Sequence, residues 1–278
     1  MREFFGFGGY MREPEGYFSW QHLLFVTCFM IVMATLAVIL GRKYRHRSEK
    51  EKNLVLIWAA ILIDSFELFK IILVCIRSED PMAWLLDLPL FLCSIQLITI
   101  PLAAFSKGRV REAALDFVFI FGILGAVLGT YLAGNNYSSY PVLSFDNTVS
   151  AITHSISGFS SLYIVISGME SMKKKNIKIT FAILLSFCVA AYIANVLIPY
   201  NYMFLMAGDG TPYDIIYNLV GGNPVLYPLI VVALFLVYIV AFRAVYELIK
   251  NKVSKSEADD SISDTEEKKR KLAFEFVN

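Results

Sequence analysis

A thiol at Cys93, an imidazole at His154 and carboxylates at Glu67 and Asp87 are the groups in this chain best suited to chemistry. A cysteine beside a histidine, with a carboxylate orienting the imidazole, is the general arrangement for acyl transfer. In that scheme His154 is the general base, Asp87 or Glu67 orients it, and Cys93 is the nucleophile. Gln96, expected on the same helix face as Cys93, offers an amide donor to a developing oxyanion. His22, Lys70, Gln96, Asn195, Asn201 and Tyr202 are the candidate substrate-binding residues. No metal site is expected, because His22 and His154 lack paired spacing and His46 lies in a basic loop. No cofactor is expected either: the chain lacks CxxC, HExxH, a Walker loop, and a GxGxxG leading into a βαβ unit.

These groups must be held by apolar elements. Hydrophobic residues make up 57% of the chain and charged residues 18%, whereas soluble domains carry about 25% charged residues. Mean hydropathy is +0.59. Seven segments are long and apolar enough to span a bilayer: 20–40, 54–76, 84–105, 113–133, 149–169, 179–199 and 225–249. The expected fold is therefore an all-α polytopic membrane bundle of seven transmembrane helices. Lys and Arg collect after the first, third and fifth spans, at Arg42–Lys52, Lys107–Arg111 and Lys173–Lys178. The opposite connections carry Glu79, Asp80, Asp146, Asp209 and Asp214. By the positive-inside rule the N-terminus is outside and the C-terminus cytoplasmic.

Three domains follow: an extracytoplasmic segment at 1–19, a membrane domain at 20–249, and a cytoplasmic disordered tail at 250–278. The tail mixes acidic and basic runs with almost no apolar periodicity. No basic, aromatic-interleaved surface suits nucleic acid. The four cysteines fall within spans, so no disulfide framework is expected.

The second span carries Asp64, Glu67 and Lys70. Each charge near the middle of a membrane helix costs a few kcal/mol, so partners are required. The spacing allows a Glu67–Lys70 pair one turn apart. Counting depth at 1.5 Å per residue, His22, Glu67, Lys70, Asp87, Cys93, Gln96, His154 and Asn195 all fall in the outer half of the bundle. Small residues mark contact faces: Gly122, Gly125 and Gly129 on the fourth helix, and Ser150, His154, Ser157 and Ser161 on the fifth. The connection holding NYMFL and GDGTPYD is long enough to form an ordered outer cap.

At FSWQHLLF, FELFKIILV, LDLPLFLCSI, ITHSISGF and PYNYMFL the chain resembles the bacterial YwaF-type integral membrane family, from the first span to the seventh. More distantly it resembles a eukaryotic multi-span acyltransferase that remodels ether phospholipids through a Cys-His motif after a proline in the third span, with a later histidine corresponding to His154. That third-span pattern usually reads LPLHLC. Here Phe91 replaces the histidine and Leu90 stands where the eukaryotic enzymes carry cysteine. The resemblance implies a multi-pass protein of a bacterial plasma membrane whose partners are membrane lipids. It also implies a lipid-modifying acyltransferase or lipase-like enzyme with an outer-leaflet site. A non-catalytic partner of another membrane protein, an ion-coupled or small-solute transporter, and a receptor-like sensor are the other readings the residues leave open.

Overall fold

The computed structural model describes residues 2–170 and 172–275, with side chains as far as 252. All regular structure among the described residues is helical. Five helical stretches are long and apolar enough to cross a membrane: Trp20–Tyr44, Gly108–Ser139, Phe145–Ser167, Lys174–Leu197 and Leu226–Lys252. The protein is thus an all-α polytopic membrane protein, and the two expected spans outside this set differ for separate reasons. The second is one long helix, α2 (Glu49–Ser78), whose Asp64, Glu67 and Lys70 leave no 18-residue stretch with as few as two charges. The third is not a continuous helix at all.

Where an unbroken span was expected at 84–105, a 3-10 turn at Ala83–Leu86 leads into irregular backbone, and only the ten residues of α3 (Gln96–Phe105) are α-helical. Pro89 is one cause, since a proline disfavours helical geometry in the residue before it and donates no N–H. Irregular backbone at membrane depth is tolerated only when it is buried in protein or lines a wet cavity. Here the segment lies between α2 and α4 (Gly108–Tyr131), both of which pack on α3.

α4 is the inner post of the fold. Every residue from Ala113 to Gly122 is buried, the signature of a helix surrounded by protein on all sides. It packs on α6 (Phe145–Ser167), which in turn receives α1 (Trp20–Tyr44). α1 buries one stripe, Val26, Met30, Met33, Ala37 and Gly41, at helical spacing. Its other faces stay apolar and exposed, at Ile31, Leu36 and Ile39 among others, as suits a lipid-facing helix.

α5 (Gly134–Ser139) follows α4, and α7 (Ile177–Leu197) packs against the α4 post. The connection after α7 is ordered by a 3-10 turn at Tyr202–Phe204 and a short helix α8 (Tyr213–Leu219). The N-terminal segment is held near the start of α6. Arg77 grips Asp146 with bonds of 2.7 and 2.9 Å, Tyr10 donates to the same carboxylate, and Phe5 packs on Phe145. Burial first, then Asp146, pushes the Tyr10 hydroxyl up to about 12, so it remains a donor at neutral pH.

The chain parts into two compact units, Met1–Val232 and Ala233–Asn278. The second continues α9 (Leu226–Glu275), along which Arg243 pairs with Glu247 one turn on at 3.0 Å. The tail expected to be disordered from 250 falls almost wholly on side chains outside the described residues.

Candidate functional site

Lys70 is the hinge of the charged cluster. Its Nζ lies 2.6 Å from Glu67 on its own helix and 3.0 Å from Asp87 on the irregular segment. The three side chains are 19%, 13% and 24% exposed, respectively. Asp64, one turn before Glu67, is exposed and has no hydrogen bond or ion pair among the described residues.

Six residues beyond Asp87, the irregular backbone turns into α3, and Cys93 stands at that turn. Phe91 N–H donates to Ser94 Oγ at 3.0 Å, and the same hydroxyl donates back to the Phe91 carbonyl at 3.1 Å. The turn so closed places Cys93 between Phe91 and Ser94, just before α3. Cys93 therefore precedes α3 rather than sharing a helix face with Gln96. Gln96 accepts from Thr99 Oγ1 at 3.0 Å, while its buried Nε2 has no partner.

His154 meets the thiol from α6. Its Nδ1 lies 2.7 Å from the Ser150 carbonyl, an acceptor only, so Nδ1 carries the proton and Nε2 the lone pair. Nε2 is buried against Gly129, and the imidazole interacts with Cys93. The contact is one of proximity: no donor is aligned on Nε2. Catalytic hydrogen bonds are commonly loose before substrate binds.

The pair rests on α4. A Cβ at Gly129 would collide with His154 Nε2, and one at Gly125 would come within 3.3 Å of the Cys93 Cβ. The GxxxG face that sequence suggested for helix approach thus carries the thiol and imidazole themselves. Ser161 and Ser157 Oγ donate to the Phe119 and Gly122 carbonyls at 2.8 and 3.3 Å, and fix α6 on the same face.

The remaining sequence candidates have other employment. Glu67 and Asp87 bond Lys70, so the orienting contact on His154 is the Ser150 carbonyl and not a carboxylate. His22 is fully buried, stacked on Tyr137, with Nδ1 accepting from Phe18 N–H and Nε2 3.0 Å from the Thr130 carbonyl. Nε2 thus ties α1 to α4, and Nδ1 holds the backbone that leads into α1. Asn195 clasps the backbone of Tyr202 at 2.7 and 3.0 Å, and Asn201 bonds Met206, Ala207 and Asp209 within its own loop.

Tyr202 reaches furthest. Its buried hydroxyl donates to the Leu85 carbonyl and accepts from Leu88 N–H at 3.3 Å. The connection after α7 thereby holds the segment that carries Asp87 and Cys93. Phe91 points into the same loop, against Tyr200, Tyr202 and Phe204. Its ring belongs to this aromatic cage, so the histidine-to-phenylalanine departure removes nothing from the Cys93–His154 pair. Sequence reasoning missed the cage and the Ser150 carbonyl; the aromatic run from Tyr200 to Phe204 was the available signal for the former.

Among the described residues no group of three His, Cys, Asp or Glu could hold a metal ion. The family model TMEM164 matches residues 17–246. No curated protein and no solved structure matches. The family match overturns the expected YwaF-type kinship and, being to a eukaryotic multi-pass membrane family, gives no support to a bacterial plasma membrane. The motifs behind that expectation are short, and half of their residues are Leu, Phe and Ile, which recur in membrane helices of any origin.

Proposed function

This chain belongs to the TMEM164 family, and on that footing we propose that it is a membrane enzyme that moves acyl chains between lipids through a thioester on Cys93. One observation carries the reading: the thiol, at the turn leading into α3, interacts with the buried imidazole of His154, whose Nδ1 is held by the Ser150 carbonyl so that Nε2 keeps its lone pair. The thiolate is the nucleophilic form, and a neighbouring imidazole is the group that can generate it as the thiol attacks.

In the first half-reaction His154 Nε2 takes the thiol proton as Sγ attacks the carbonyl carbon of a lipid ester. The negative charge develops on the carbonyl oxygen, where the unpartnered Gln96 Nε2 is a candidate donor. The ester C–O bond then breaks, and Nε2 returns its proton to the departing lipid oxygen, leaving an S-acyl enzyme. In the second half-reaction the hydroxyl of another lipid gives its proton to Nε2 and attacks the thioester. A new ester forms and the thiol is regenerated. Water in place of that hydroxyl would give the lipase-like outcome.

The finer topology belongs to the same proposal. α2 crosses the bilayer because Lys70 is bracketed by carboxylates, and the broken segment from Ala83 to Phe105 returns across it. The result is seven crossings with the N-terminus outside and the Cys93 turn in the outer half. Asp64 favours a second reading. An exposed, unpaired carboxylate on a membrane helix calls for a partner, which another membrane protein covering α2 would supply.

The deciding experiment incubates the purified protein with a lipid bearing a labelled acyl chain. A hydroxylamine-labile label on the protein that is lost in Cys93→Ala and greatly reduced in His154→Ala is expected. A label retained in Cys93→Ala puts the chemistry elsewhere, and no label at all favours the non-catalytic reading.

A further inference from the structure

The Glu67–Lys70–Asp87 cluster has one charge more than neutrality requires. Glu67, an i,i+3 neighbour on α2, already balances Lys70. Asp87 comes from a different element and brings the cluster to a net negative charge at low exposure, which desolvation penalises. The Lys70–Asp87 bond therefore has to be accounted for by something other than charge balance, and what it joins is informative. On one side is the regular, 30-residue α2. On the other is the irregular run that ends at Cys93, whose backbone is held by scattered turn bonds and no continuous ladder: Asp87 N–H to the Trp84 carbonyl, Leu90 N–H to the Leu88 carbonyl, Ile95 N–H to the Phe91 carbonyl and Gln96 N–H to the Cys93 carbonyl.

A turn without a ladder is placed by its anchors. Upstream of Cys93 the polar anchors are the Tyr202 hydroxyl, on Leu85 and Leu88, and Lys70, on Asp87, while the Phe91 ring packs in the cage of Tyr200, Tyr202 and Phe204. From these anchors we infer that Lys70 is a positioning residue: through Asp87 it sets where the Cys93 turn meets His154. Among the described residues Lys70 bonds the two carboxylates alone, so it acts on the thiol through the segment and not by contact. The inference rests on the thiol–imidazole reading above, and it concerns geometry that can be measured without any lipid substrate.

The test is a double-mutant cycle on full-length protein in nanodiscs, in a background where Cys28, Cys75 and Cys188 are alanine. The readout is the rate at which N-ethylmaleimide alkylates Cys93. In the parent, His154→Ala should slow alkylation roughly tenfold or more, since misplacement by about 1 Å can cost 100-fold in an oriented site. In an Asp87→Asn background the same change should alter the rate less than about twofold, whichever way Asp87→Asn itself moves it, because the coupling is lost when the turn shifts. Lys70→Arg should keep the coupling, and the double variant Lys70→Met/Asp87→Asn should lose it. Asp87→Asn leaves the Glu67–Lys70 pair intact, so folding is expected to survive; circular dichroism checks this, and the double variant serves if it does not. Equal His154→Ala effects in the parent and in either anchor variant overturn the inference while leaving the thiol–imidazole pair standing. No His154→Ala effect in the parent removes the pair itself, and the inference falls with it.

Discussion

At Gly129 the presence of a hydrogen in place of a methyl group decides whether His154 has room. The imidazole Nε2 occupies the space a Cβ would take, while Nδ1 is tethered to the Ser150 carbonyl and cannot retreat without breaking a 2.7 Å bond. Gly129→Ala should therefore turn the ring away from Cys93. Alanine is the better helix former by about 1 kcal/mol, which offsets part of the roughly 1–3 kcal/mol that overpacking costs. The expected outcome is a protein with a near-normal thermal midpoint that fails to form the S-acyl intermediate. Gly125→Ala, 3.3 Å from the Cys93 Cβ, should retain part of the label. Equal labelling of Gly129→Ala and the parent, in the acyl-label assay, would mean that the pair does not need this contact.

Among the elements, the connection after α7 and the broken third segment act together. Met203 and Phe204 both hold φ near +55°, a region non-glycine residues enter only when the surroundings over-determine them. Asn195 clasping Tyr202, and Tyr202 bonding Leu85 and Leu88, provide that constraint. Tyr202→Phe keeps the ring against Phe91 and deletes only the hydroxyl. It should cost about 1–2 kcal/mol, the loss of a hydrogen bond with a buried carbonyl left wanting. Thermal unfolding measures this. Because the hydroxyl also anchors the segment leading to Cys93, acyl labelling should fall by more than the stability loss accounts for. A stability loss with full labelling would make the loop a lid on the fold and nothing more.

For the molecule as a whole, the arrangement of charges predicts sidedness. The basic loop at Lys107–Arg111 and the acidic loop at Asp209 should lie on opposite sides of the membrane. Single cysteines placed at 107 and 209 in a cysteine-free background should be labelled from opposite sides by a membrane-impermeant maleimide, with 209 reached from outside. Labelling of both from one face would require an even number of crossings between them and end the seven-crossing proposal. Three of the five apolar helical stretches, Gly108–Ser139, Phe145–Ser167 and Lys174–Leu197, lie between these two positions, and that odd number carries the expectation.

Composition and hydropathy were sufficient to establish a polytopic helical membrane protein, because burying backbone in lipid leaves helices as the economical solution for chains of this pattern. The sequence also exposed Cys93, His154 and the Glu67–Lys70 spacing, since polar groups in apolar helices are visible against their background. It could not show that Asp87 would complete the charged cluster, that a backbone carbonyl would orient His154, or that Phe91 would turn into an aromatic cage. Those contacts join residues 17 to 113 positions apart, Lys70 to Asp87 and Phe91 to Phe204, or arise from the local turn of a helix. The broken third span was hidden for a related reason: apolar content marks a segment as buried but does not say whether its backbone is helical. Pro89 hinted at the break, and only the packing of α2 and α4 around the segment made an irregular turn affordable there.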